Sequence, residues 1–271
     1  MASIIAKLAS RIGLCKLTCR GELPQFTWAD VCSMMIMPNR RWPTHKLAIP
    51  LDDQEPEPRF DTPIGIICWD TRNRRSLGLL VFEELCAIYE QGGVRIRKGD
   101  IVFDLGAHVG TFTRFALNRG AAKVIAFEPE PSHVACLKRS FVEELKRGSV
   151  HIINAAAWHQ EGCAPFRCEG VASRITESSS VSVPLTTVDK VVAELALDSV
   201  DFIKADIEGA ERHALAGATN TIRRFGPRMA VCIYHFADDP RIIPRVVRSI
   251  RPYSVSINLA REQAFFCSQP S

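Results

Sequence analysis

The sequence predicts an α/β fold: a doubly wound, mainly parallel sheet with an N-terminal extension. Three observations predict it. Strand-like and helix-like patterns alternate from about residue 100 onward. The segment Ile101-Val-Phe-Asp-Leu-Gly-Ala-His-Val-Gly110 reads as a buried strand, a tight glycine turn and the start of a helix. Residues 1–60 show no such rhythm and gather proline between Pro38 and Pro63. Strands alternating with helices of this length are βαβ units, which bury both faces of a parallel sheet.

The bulk numbers set the class. A chain of 271 residues, 46% of them hydrophobic and 24% charged, can bury a sizeable core. The net charge of +4 is modest, and the basic clusters at 72–75 and 95–98 are short, so no nucleic-acid partner is expected. Ten cysteines include no Cys-x-x-Cys pair, which disfavours a zinc ribbon or a dithiol redox motif. Several sit in apolar runs, as in Ile66-Ile-Cys-Trp69, where a free thiol packs as a small hydrophobe; a reducing cytoplasm is the expected setting.

The elements follow in order. Residues 1–20 mix Ile4, Ile5, Leu8 and Ile12 with Lys7, Arg11 and Lys16. Charge breaks this run too often for a signal peptide or a membrane span, which leaves a packing helix or contact with a membrane surface. Residues 51–58 read as an acidic loop and 78–92 as a helix ending at Gly92-Gly93. The expected division is an extension or cap over 1–77 and the main domain over 78–271. Within the latter, strands are expected at 101–104, 123–128, 150–155, 200–206, 229–234, 254–258 and 264–267. Helices are expected at 110–119, 131–146, 187–196, 208–219 and 240–250. The 160–186 interval breaks the rhythm and reads as a hairpin insertion or a mobile loop near the site.

In an open parallel sheet the ligand lies beyond the carboxyl ends of the strands, so strand-end residues are where chemistry is expected. Asp104 ends the first strand, and an acid there hints at a cationic ligand such as S-adenosylmethionine rather than a pyrophosphate. The turn Gly106-Ala-His-Val-Gly110 also lacks the G-x-G-x-x-G arrangement of dinucleotide sites. Glu128 follows the turn by about 20 residues, where such folds place a carboxylate for ribose hydroxyls. Asn154 and the small residues from Ala155 suit either an adenine ring or plain helix–sheet packing. Lys204, in a strand expected to be buried, needs a partner or a depressed pKa. Asp206, Glu208 and Glu211 concentrate carboxylates where the next helix begins; the helix dipole accounts for the last two but not for Lys204 beside Asp206.

Four segments, Val102-Phe-Asp-Leu-Gly-Ala-His-Val-Gly-Thr111, Ala126-Phe-Glu-Pro129, Leu185-Thr-Thr-Val-Asp189 and Phe202-Ile-Lys-Ala-Asp-Ile-Glu-Gly-Ala-Glu211, recur in an order that resembles the FkbM-type family of S-adenosylmethionine-dependent methyltransferases, over roughly 80–260. The family usually shows Asn where this chain has His108. The resemblance implies a seven-stranded Rossmann-like sheet and methylation of a hydroxyl on a sugar, glycolipid, polyketide or related natural product. By it, Asp104, Gly106, Ala107, His108, Gly110 and Thr111 form the cofactor turn. Glu128 with Pro129 holds the ribose, Asn154 and Ala155 border the cofactor, and Asp206 lies between its methionine end and the acceptor.

Methyl transfer to an alcohol needs alignment and a route for the hydroxyl proton. His235, at the end of the fifth strand, is the candidate base, with Asp206 and Lys204 beside it. A divalent cation held by Asp206, Glu208 and His235 is the other candidate device. An NAD(P)-dependent oxidoreductase, an RNA methyltransferase and a non-catalytic binding protein of the same fold are the competing readings. Neither the oligomeric state nor the acceptor is legible.

Overall fold

The computed structural model describes residues 43–52, 58–69, 74–258 and 261–268, together with Thr18, Arg20, Gly21, 26–30 and Cys32. The amphipathic pattern expected over 1–20 and most of the acidic loop at 51–58 lie outside the described residues. The chain divides into two compact units, 1–88 with 259–261, and 89–258 with 262–271.

The first unit contains a small antiparallel sheet of β1 (Ile49–Pro50), β2 (Arg59–Asp61) and β3 (Ile67–Cys68). A 3-10 turn at Thr44–Leu47 packs on α1 (Arg74–Leu85). The helix expected to run to residue 92 ends at Leu85, and Ala87 takes a left-handed φ of 49° that no helix continues through.

The second unit is built on seven strands: β4 (Ile101–Leu105), β5 (Lys123–Phe127), β6 (Val150–Ile153), β11 (Phe202–Ala205), β12 (Arg228–Cys232), β13 (Tyr253–Asn258) and β14 (Gln263–Ser268). Their order is β13-β14-β12-β11-β4-β5-β6, and only β14 runs against its neighbours. The chain builds outward from β4 to β6, then returns to lay β11 on the other side of β4. The topological switch point therefore lies between β4 and β11.

Both faces are covered. Ile203 and Ala205 of β11 enter one core with residues of α5 (Val188–Glu194), α6 (Glu211–Ala216), α7 (Thr219–Phe225) and α8 (Asp239–Ile250). Phe202, of the other parity, stacks with Phe112 of α2 (Thr111–Asn118) at 6.2 Å between ring centroids. The expected 131–146 helix is two pieces, α3 (Pro131–Ser140) and α4 (Val142–Lys146), parted at Phe141, which is fully buried with φ −120°. The helix expected from 208 begins at Glu211, because Glu208 and Gly209 both have positive φ, 52° and 98°. Helix α7 was not expected: Asp189, on α5, accepts the N–H groups of Asn220 and Thr221 and so caps its start.

The 160–186 interval is a hairpin insertion. β8 (Gly162–Arg167) pairs with β9 (Arg174–Ile175) and with β10 (Ser182–Thr186), and β10 also joins β7 (Ala156–Ala157). Among the described residues, no helix is long and apolar enough to cross a membrane, and Cys32, Cys86, Cys163, Cys168, Cys232 and Cys267 are free thiols.

Candidate active site

Parallel register places Lys204 of β11 directly beside Asp104 of β4, and the side chains of paired residues share a face. The Lys204 Nζ donates to Asp104 Oδ1 at 3.1 Å, to the Leu105 carbonyl at 3.2 Å and to the Gly106 carbonyl at 2.7 Å. All three ammonium protons are thus committed. Thr113 Oγ1 donates to the second Asp104 oxygen at 2.7 Å. Burial opposes charge on Lys204, but Asp104 and then Asp206 outweigh it and hold its pKa above the ordinary lysine value. The cation that Asp104 meets is therefore Lys204. Asp104 lies fully buried beneath the turn, and the pair holds the turn's carbonyls from below.

Gly106 has φ 81°, and a Cβ there would collide with the Asp206 carbonyl oxygen. At Gly110, with φ 93°, a Cβ would run into the Phe141 ring. Only glycine fits either position. His108 sits between them at φ 52°, in the left-handed region that Asn and His enter more readily than most residues. That shared tolerance accounts for His at a position where the resembling family has Asn. Burial, then the His133 ring 4.1 Å away and Lys204, hold its imidazole well below the usual histidine range. Four of the turn's amides are also spoken for: those of Gly106 and Ala107 go to the Phe127 carbonyl, that of His108 to Glu128 Oε2 at 2.8 Å, and that of Gly110 to the Ala107 carbonyl. A pyrophosphate needs such amides free.

Glu128 follows β5 and is 5% exposed. Its other oxygen accepts the Glu130 N–H at 2.9 Å and lies 3.4 Å from His133 Nδ1, while Oε2 keeps a further lone pair. Half-buried Pro129 follows it, and Thr111 is the buried first residue of α2. Asn154 is exposed just beyond β6, and Ala155 is buried with its N–H on the Ile153 carbonyl, which also receives the Glu128 N–H. The insertion reaches this side of the molecule. Partial burial, and then Glu130 and Glu128, raise the Cys168 thiol.

At the switch point, Asp206 accepts the hydroxyl of Tyr89 at 2.7 Å and that of Tyr234 at 2.9 Å. Neither tyrosine was anticipated; Tyr234 adjoins the expected His235, whereas Tyr89 precedes the first predicted strand and carried no signal. His235 lies between two carboxylates, with Nε2 3.3 Å from Glu208 and Nδ1 3.2 Å from Glu211. Burial alone would lower its pKa, but Glu208 and Glu211 push it up to about 10. Glu211 also accepts the Ile207 N–H at 2.9 Å, closing the start of α6. A non-glycine residue at φ 52° is strained, and Glu208 spends that strain facing His235.

This geometry fits S-adenosylmethionine. The cradle at Gly106 has no room for a side chain, Glu128 Oε2 retains acceptor capacity, and four of the turn's amides are committed within the protein rather than to a pyrophosphate. The fold and site define a class I methyltransferase that uses S-adenosylmethionine. Residues 104–250, more than half of the chain, match the Methyltransferase FkbM domain, and the chain belongs to that family. It is 23% identical over 220 residues to the 31-O-demethyl-FK506 methyltransferase FkbM of Streptomyces tacrolimicus, covering 68% of this chain and 83% of that protein. It shares its fold with the methyltransferase FkbM of Methylobacillus flagellatus KT, with a TM-score of 0.54 and 18% identity over 72% of this chain. The match spans 54% of that longer chain.

Proposed function

We propose that this methyltransferase acts on a hydroxyl of a small molecule, a sugar, glycolipid, polyketide or related natural product. The observation that carries the reading is the pairing of His235 with Glu208 at the carboxyl end of the sheet, beside the turn that fits the cofactor. S-adenosylmethionine supplies an already activated methyl group, so the protein's tasks are alignment and removal of the hydroxyl proton. The FkbM relative from Streptomyces tacrolimicus is named for a substrate lacking an O-methyl group, which agrees with this acceptor class.

The chain's residues divide these tasks. Gly106 and Gly110 keep the turn bare, Glu128 receives the ribose hydroxyls, and Asn154 and Ala155 border the adenine. Lys204 and Asp104 hold the turn without touching the ligand. Tyr89 and Tyr234 fix the carboxylate of Asp206 toward the acceptor side. Without a cation His235 holds a proton between two carboxylates, so Glu208, the more open of the two, is the group that accepts the hydroxyl proton. The insertion over 160–186 shapes the acceptor pocket, and free thiols suit a cytoplasmic setting.

The test is turnover with an identified hydroxyl acceptor. Glu208→Gln and His235→Ala should each lower kcat by about 100-fold or more, the range of general acid–base catalysis. Near-normal turnover in both variants would remove the pair from the mechanism.

A further inference from the structure

The turn after β11 and the end of β12 bring three ligand atoms together. One atom each from Asp206, Glu211 and His235 lies within 4.8 Å of the other two. The Glu211 side chain is 1% exposed; its Oε1 accepts the Ile207 N–H, while its Oε2 has no hydrogen-bond partner. The His235 side chain is 9% exposed and stands at ion-pair distance from two carboxylates, yet neither ring nitrogen is aligned for a hydrogen bond. Buried polar atoms are ordinarily satisfied, and a buried carboxylate oxygen without a donor calls for a positive charge. Tyr89 and Tyr234 donate to Asp206, the arrangement by which outer groups orient a ligating carboxylate.

We propose that Asp206, Glu211 and His235 form a site for a divalent first-row transition cation such as Mn2+. Ligand bonds of about 2.1–2.2 Å put neighbouring ligand atoms roughly 3 Å apart and opposite ones about 4.3 Å apart, both within the observed span. One imidazole and two carboxylates favour such an ion over Ca2+ or Mg2+, whose preferred ligands are all oxygen. Glu211 thus takes the place expected for Glu208. Three protein ligands leave octahedral positions for water and for the acceptor hydroxyl, whose O–H the cation acidifies. The O–H proton passes to Glu208, which is outside the ligand set. The acceptor oxygen forms the new C–O bond as the C–S bond breaks, and that electron pair returns to sulfur to leave S-adenosylhomocysteine. This inference rests on the hydroxyl-acceptor reading.

Mn2+ titrated into the metal-stripped full chain, followed by loss of the free-ion EPR signal, tests the site without reference to activity. Saturable binding is expected with Kd below about 100 µM. It should weaken about 100-fold or more in Asp206→Asn and His235→Gln, and stay unchanged in Glu143→Gln on α4. No saturable binding to the wild type below about 1 mM overturns the proposal even if both ligand variants fail to fold. Wild-type affinity in a folded ligand variant overturns it as well. Methyl transfer to a hydroxyl that survives complete chelation sinks the cation but not the acceptor class; Mn2+ binding with transfer only to nitrogen or carbon does the reverse.

Discussion

Lys204 and Asp104 are neighbours across the β11–β4 pair, joined at 3.1 Å at the floor of the cofactor turn. With side chains 5% and 0% exposed, they are a buried ion pair whose third partner is the turn backbone. Removing one member strands the other charge. Lys204→Met should therefore cost about 3–5 kcal/mol of stability in urea unfolding. The double variant Asp104→Leu/Lys204→Met should regain most of that loss but not S-adenosylmethionine affinity, since the turn's carbonyls remain unsupported. Full affinity in the double variant would show that the pair has no part in shaping the turn.

Gly106→Ala meets both a left-handed φ and the Asp206 carbonyl. The expected outcome is a loss of about 2–4 kcal/mol in stability and no measurable cofactor binding by calorimetry. Wild-type affinity in this variant would mean that the backbone has more room than the structure gives it.

Glu128→Gln keeps the shape but removes the charge. Each charge-assisted bond to a ribose hydroxyl contributes about 1.5–3 kcal/mol, so affinity for S-adenosylmethionine should fall at least 10-fold. Glu128 also accepts the His108 and Glu130 amides, so a modest fall in Tm should accompany it. A variant that binds as tightly as wild type would free the ribose assignment from this residue.

The pH dependence has a definite sign. His235 titrates near 10 in the folded, cation-free chain, against about 6.5 when unfolded. Its ion pairs with Glu208 and Glu211 therefore contribute fully below about pH 6.5 and are lost as pH rises toward 10. Stability of the wild type should decline over that interval, and His235→Gln should flatten the decline. NMR of the imidazole at pH 8 gives a direct check, with a protonated ring expected and a neutral ring contradicting the geometry.

Much of this was legible in the chain, and the reasons differ by element. The alternation from residue 100 marked every strand of the main sheet to within a few residues, because buried parallel strands are short apolar runs. Lys204 announced a partner, since a charge in a buried strand demands one, but only register reveals that the partner is Asp104. Asp104 itself was expected to face a cationic ligand; its cation is internal. Asp189 stood in a recognisable motif, yet its capping of α7 depends on residues 31 and 32 positions away. Tyr89 meets Asp206 across 117 positions, a distance over which periodicity carries no information.

The central claim is that this FkbM-family enzyme delivers a methyl group to oxygen. Its most direct test is incubation of the full chain with S-adenosylmethionine bearing an isotope-labelled methyl group and a panel of sugars, glycolipids and polyketides, with NMR of the products. The account predicts a new methoxy resonance that grows with S-adenosylhomocysteine. Label appearing on nitrogen or carbon, or in added RNA while every hydroxyl acceptor stays unlabelled, would contradict it.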